Sequence, residues 1–167
     1  MRQLQLACVR ILPVWLLLVG PAVRAQTCGP VQYVITVDGD LGDWTTTTPL
    51  RLDRAEYAQA SFGNQWSPQD CSATTYLQWD AQCLYVAAEV RDQAFNQTLT
   101  GTSQWIQDSL QISLARDAAA PRTELGLALT PSGEEVVSYT APSPAVAGSH
   151  LAVHLKPGGM TYEAALP

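Results

Sequence analysis

Charge is scarce in this chain of 167 residues: Asp, Glu, Lys and Arg make up 14% of it, and nine bases face 15 acids for a net charge of −6. Binding to a phosphate backbone rests on clustered Lys and Arg, so nucleic acid and anionic membrane surfaces are poor partners for this surface. Long apolar runs are also missing. The one stretch of note, Ile11 to Val19, is interrupted by Pro13 and closed by Gly20-Pro21, and crossing a bilayer takes roughly 20 apolar residues. Catalytic signatures are absent as well. No Ser or Cys sits in a nucleophile motif, and there is neither a glycine-rich phosphate loop nor a C-x-x-C-H haem site. Glu134 and Glu135 are adjacent, so on a strand they point to opposite faces and cannot act as an acid–base pair. The two histidines, His150 and His154, would lie ~13 Å apart on one face of a strand, too far to share a zinc ion.

What is present begins with an address. Met1 to Ala25 carries Arg2 and Arg10, the interrupted apolar stretch, and Val23-Arg24-Ala25 before a cleavage point. This reads as a secretory signal over 1–25, with a domain over 26–167 exported to the periplasm or beyond. Removal takes Arg2, Arg10 and Arg24 with it, so six bases remain against 15 acids, a net charge of −9. Cys8 leaves too, and Cys28, Cys71 and Cys83 then face an oxidising compartment where disulfides persist. Cys71 and Cys83 flank a strand that would hold them on the order of 26 Å apart, beyond the ~7 Å a disulfide allows. Cys28 and Cys71 both precede strands and are the expected pair.

From Val31 onward the dominant period is two. Ala73, Thr75, Leu77 and Trp79 alternate with Thr74, Tyr76 and Gln78, and after Asp80-Ala81-Gln82 the row Leu84, Val86, Ala88, Val90 follows. This predicts a hairpin. Leu110-Ile112-Leu114, Leu125-Leu127-Leu129, Val137-Tyr139, Leu151-Val153-Leu155 and Tyr162-Ala164-Leu166 repeat the pattern between Gly- and Pro-rich breaks. A short helix is expected only within Arg51 to Ser61. Many short strands with turn signals predict an all-β chain, an antiparallel β-sandwich of jelly-roll type. The last strand would end at Pro167 as an open edge, so truncation at the C-terminus is expected.

Two constellations carry chemistry. Asp38-Gly39-Asp40-Leu41-Gly42-Asp43-Trp44 places three carboxylates within six residues; glycine lets such a loop curl its oxygens around a hard cation such as Ca²⁺, and the same residues equally suit a polar turn that bonds its own backbone. It is not an EF-hand, because the position for the bidentate Glu is Pro49. The second constellation is tryptophan. Trp66 lies in Phe62-Gly63-Asn64-Gln65-Trp66-Ser67-Pro68 and Trp105 follows Gly101-Thr102-Ser103-Gln104. Flat aromatic faces suit the C–H faces of sugar rings, and amides such as Asn64 and Gln104 suit their hydroxyls. Exposed tryptophan at a loop end is costly unless it binds something. Packing in the interior is the other reading of both, and the one expected for Trp44 and Trp79. Asn96-Gln97-Thr98 is a glycosylation sequon.

Several of these segments resemble one family. Val37-Asp38-Gly39-Asp40-Leu41-Gly42-Asp43-Trp44 is similar to the "V-D-G-x-L-x-x-W" opening of family 9 carbohydrate-binding modules. Trp79-Asp80-Ala81-Gln82-Cys83-Leu84-Tyr85-Val86 resembles their "W-D-x-x-x-L-Y-V" hairpin, with Val90-Arg91-Asp92 for "V-x-D". Trp105-Ile106-Gln107-Asp108-Ser109-Leu110-Gln111-Ile112 is similar to "W-x-x-D-S-V-E-I", and Tyr162-Glu163-Ala164-Ala165-Leu166-Pro167 to "Y-x-x-E-x-x-I-P". The resemblance spans residues 36–167. It implies a secreted, non-catalytic β-sandwich that binds polysaccharide of the xylan or cellulose type for an attached enzyme or other domain. It also implies a tryptophan clamp on a terminal sugar, for which Trp66 and Trp105 are the candidates with Asn64 and Gln104 beside them, and structural calcium. Asp38, Asp40, Asp92 and Asp108 are the acids expected to touch calcium or fix loops. The family continues past its "I-P", which again implies truncation at Pro167. Two alternatives stand beside this one: a haem-binding relative using Met160 with His150, His154 or Lys156, and a structural N-terminal domain of a larger exported protein.

Overall fold

The computed structural model describes residues 28–30, 34–57, 66–115, 119–140 and 146–167; the expected signal over 1–25 and Asn64 lie outside them. The expected β-sandwich is present. Its strands are β1 (Cys28–Pro30), β2 (Leu50–Leu52), β3 (Ser72–Trp79), β4 (Leu84–Arg91), β5 (Leu110–Leu114), β6 (Thr123–Thr130), β7 (Gly133–Ser138), β8 (His150–Lys156) and β9 (Gly159–Leu166). The larger sheet runs β3-β4-β9-β8, and the smaller β5-β6-β7. Along the outer edge of β3, β2 pairs antiparallel with its first half and β1 parallel with its second.

The β3–β4 hairpin is local chemistry made visible. Asp80 Oδ1 accepts from the Gln82 and Cys83 amides at 2.7 and 2.8 Å, and Oδ2 accepts from the Tyr85 hydroxyl at 2.9 Å. One aspartate therefore closes the turn and fixes Trp79 opposite Leu84. The backbone amides of Cys83 and Gln82 hold the Asp80 carboxyl below its ordinary range. Burial and the Asp80 charge push the Tyr85 phenol up to about 12.

Alternation then builds the core. Val86, Ala88 and Val90 of β4 and Met160, Tyr162, Ala164 and Leu166 of β9 pack against Leu110, Leu125 and Leu127 of the smaller sheet. Yet β9 is buried along its whole length, on both faces. Its outward residues Thr161, Glu163 and Ala165 are covered because residues 34–47 lie across the back of the larger sheet, bringing Trp44 to 1% exposure.

Strand β9 tolerates no side chain at its start. Gly159 pairs with Arg91, and a Cβ there would fall 2.0 Å from the Val90 carbonyl oxygen. Backbone cannot swing aside as a side-chain tip can, so Gly159→Ala is expected to cost ~3 kcal/mol, read as a lower urea midpoint at unchanged slope. A loss under about 0.5 kcal/mol would show that the two strands part without penalty.

The short helix expected within Arg51 to Ser61 is a 3-10 helix at Ala55–Tyr57, after the end of β2. Three expectations are corrected. Trp79 keeps the facing of Leu77 but is the last residue of β3, and at the sheet's end its ring remains 40% exposed. Met160 faces the core at 1% exposure and accepts from the Tyr162 hydroxyl at 3.2 Å, whereas His150, His154 and Lys156 are exposed on the opposite face of the sheet; a haem cannot take axial ligands through a β-sheet. The β1–β3 register pairs Cys28 with Leu77, six residues along β3 from Cys71 and so on the order of 20 Å away. The expected Cys28–Cys71 disulfide does not fit this arrangement. Cys71 and Cys83 lie at opposite ends of β3, as the strand reading required.

Candidate functional site

Residues 92–109 carry the chain from the larger sheet to the smaller one, and polar side chains rather than an apolar face organise them. Gln97, 6% exposed, donates from Nε2 to the carbonyls of Gln104 and Asp108, both at 2.9 Å. Gln107 Oε1 accepts from the Thr98 amide at 2.7 Å, the Thr98 hydroxyl at 3.0 Å and the Leu99 amide at 3.2 Å. Asp108 and Asn96 bond reciprocally: the Asn96 carbonyl accepts from the Asp108 amide, and the Asp108 carboxylate accepts from the Asn96 amide. Between these braces sits a 3-10 helix, Gly101–Ile106. It begins where the Gly101 amide, at φ 57, donates to Glu135 Oε2 at 2.7 Å. Gln111 Nε2 donates to the Trp105 carbonyl at 3.4 Å.

What this scaffold displays is an aromatic surface. Trp105 is 40% exposed and Ile106 42%, and the neighbouring Thr98, Thr100, Thr102 and Ser103 are exposed as well. A large flat ring flanked by hydroxyls on a pinned backbone matches the mixed C–H and hydroxyl surface of a sugar.

The other expected site residues divide. Trp66 is half-buried, hangs beside the first residue of β3, and spends its indole N–H on the Cys71 carbonyl at 2.8 Å. It and Trp105 are thus carried by different sheets. Gln104 is fully buried and points into the smaller sheet, so it offers nothing to a ligand in this arrangement. The aspartates fix loops. Asp38 Oδ1 accepts from the Asp40 amide at 2.9 Å and Asp40 Oδ1 from the Gly42 amide at 3.1 Å, capping the 3-10 turn Leu41–Trp44. Asp92 Oδ1 accepts from the Ala94 amide at 2.9 Å. Burial raises the Asp92 carboxyl, the Ala94 amide opposes that, and the Asp70 charge adds to it. Among the described residues no three His, Cys, Asp or Glu side chains are grouped to hold a metal ion. The bonds of Asp38 and Asp40 to amides two residues on are those of the polar-turn reading.

Glu163 had no role assigned beyond its place in the closing motif. It is fully buried; Oε2 accepts from the Asp38 and Gly39 amides at 3.0 and 2.9 Å, and Oε1 from Trp44 Nε1 at 2.8 Å. The signal was there to find: one charged residue inside Tyr162-Glu163-Ala164-Ala165-Leu166, a strand otherwise apolar. Gln97, Gln107 and Glu135 left no such trace, because each has a polar neighbour in the sequence, Asn96, Asp108 and Glu134, and does not stand out as a lone polar residue in an apolar strand.

Residues 37–167 match the sequence profile described as carbohydrate family 9 binding domain-like. A family 9 carbohydrate-binding module from Caldicellulosiruptor kristjanssonii, solved in complex with cellotriose, superposes with a TM-score of 0.57 at 22% identity, covering 83% of this chain and 65% of that one. A second structure from the same organism, in complex with glucose, gives a TM-score of 0.53 at 21% identity over 83% of this chain and 66% of the other. The chain thus spans 65% and 66% of those two modules' lengths. No curated protein matches it.

Proposed function

Because the chain belongs to the carbohydrate family 9 binding domain-like family, we propose that it is a non-catalytic module that binds polysaccharide on the Trp105 face. One observation carries this reading: an exposed tryptophan held on a backbone braced by Gln97, Gln107, Glu135 and Gln111. A platform ordered before binding loses little freedom when a ligand arrives. The glucose-based ligands of the similar structures favour a β-glucan chain of the cellulose type, with xylan as the nearest competitor. The signal over 1–25 would export the module to the periplasm or beyond, where it holds an attached domain near its substrate.

Titration of tryptophan fluorescence with cello- and xylo-oligosaccharides tests this. A single aromatic face supports dissociation constants between about 1 mM and 1 μM. A saturable blue shift is expected, with Trp105→Ala weakening binding by about 30-fold, the equivalent of one ~2 kcal/mol hot spot. Trp66→Ala is expected to change affinity by less than about threefold, since its ring is half-buried and its N–H is already used. A flat titration on folded protein would reject sugar binding and leave the structural-domain reading.

A further inference from the structure

Below the platform lie three buried polar atoms that its bracing does not use. Gln104 Nε2, Gln104 Oε1 and Tyr139 Oη are all shielded from solvent without a well-formed hydrogen bond. They converge at Gly126 of β6, where a Cβ would fall 2.0 Å from Tyr139 Oη and 2.6 Å from Gln104 Nε2. Gly126 pairs with Gln111 on one side and Val137 on the other, and a side chain there would occupy the space these two groups fill. Tyr139 is held in turn by its amide, which donates to the Glu124 carbonyl at 2.8 Å. The Gln104 amide and the Tyr139 hydroxyl face each other across this space, and a buried polar pair with imperfect bonds calls for an explanation beyond stability.

The helix type supplies one. In a 3-10 helix successive side chains are roughly 120° apart and positions i and i+3 line up. Gly101, bonded to Glu135, and Gln104, packed over Gly126, therefore form the side facing the sheet, and the next residue, Trp105, is turned outward by construction. Ala128, fully buried beside Glu135 in the register, marks the same covered face.

We propose that Gln104 and Tyr139 are positioning residues: packed in the space left by Gly126, they set the height and tilt at which the helix presents the Trp105 ring, and thereby its affinity for sugar. The inference rests on Trp105 being the platform. It makes Gln104 a determinant of binding from beneath, without contact to the ligand.

The test is 19F NMR of protein labelled with 5-fluorotryptophan, in which the Trp105 resonance is identified by its loss in Trp105→Phe. Gln104→Ala and Gly126→Ala are expected to shift or broaden that resonance in ligand-free protein and to weaken cellotriose binding by about tenfold. Gln104→Met, which refills the space, is expected to restore both. Should Gly126→Ala fail to fold, Gln104→Ala decides alone. A role confined to stability would lower the melting temperature and leave the Trp105 resonance in place, which overturns the proposal. So does a moved resonance with cellotriose affinity within about twofold of the unmodified protein. A resonance that moves in a protein binding no sugar at all supports the seat beneath the helix and rejects the platform reading instead.

Discussion

Glu163→Ala is expected to lower stability by ~4 kcal/mol, because two buried donors, the Gly39 amide and Trp44 Nε1, and the part-buried Asp38 amide lose this acceptor. Glu163→Gln is expected to cost about half as much, since the amide oxygen still serves one side while its NH₂ group meets donors on the other. Urea unfolding measures both. A loss under about 1 kcal/mol for Glu163→Ala would mean that water takes the place of the carboxylate and that residues 34–47 are not held by it. The effect depends on pH with a definite sign. Burial raises the Glu163 carboxyl above 4.5, against the opposing donors Trp44, Asp38 and Gly39, and the Asp43 charge adds to the rise. The folded state therefore holds this proton more tightly than the unfolded chain. That part of the stability is fully present below the unfolded value and is lost as pH climbs through the folded one. The advantage of the unmodified protein over Glu163→Ala should shrink across that window.

The second large effect is expected at Trp44. Removing this ring, 1% exposed on the back of the larger sheet, should cost ~3–5 kcal/mol as Trp44→Ala. The ring leans on Tyr76 with centroids 6.1 Å apart and donates to Glu163. Trp44→Phe separates the two contributions, retaining most of the packing while leaving Glu163 Oε1 without its donor. Because the two side chains share one bond, Trp44→Ala with Glu163→Ala should cost less than the sum of the single changes by about 1–2 kcal/mol. Additive losses would show that the indole and the carboxylate act independently.

These two residues also mark the boundary of what could be read from the chain alone. The hairpin was legible almost to the residue. Period-two alternation placed Ala73 to Trp79 and Leu84 to Val90, and the strands run Ser72–Trp79 and Leu84–Arg91. Its signals, alternating side chains and the turn aspartate Asp80, act within a few residues of one another. The same holds for Asp38 and Asp40, whose bonds to amides two residues on make the polar turn that their spacing allowed. Trp44 was legible as buried, while the mouth-of-strand position of Trp105 left both a platform and interior packing open.

Gln104, Trp79 and Glu163 were not. A strand or a turn sets the direction of a side chain, but what stands in that direction is decided by segments far away in sequence. Gln104 lies 22 residues before Gly126 and 35 before Tyr139, yet packs on both. Trp79 faces the same way as Leu77 and is exposed because its strand ends there. Glu163 bonds Asp38 at a separation of 125 residues, and β9 is buried on both faces only because that distant segment lies over it. Alternation and turn chemistry settle which way each residue of this chain points. Whether it meets solvent, a sugar or a buried donor depends on which strands the sandwich brings together, and that follows from long-range packing that no local pattern encodes.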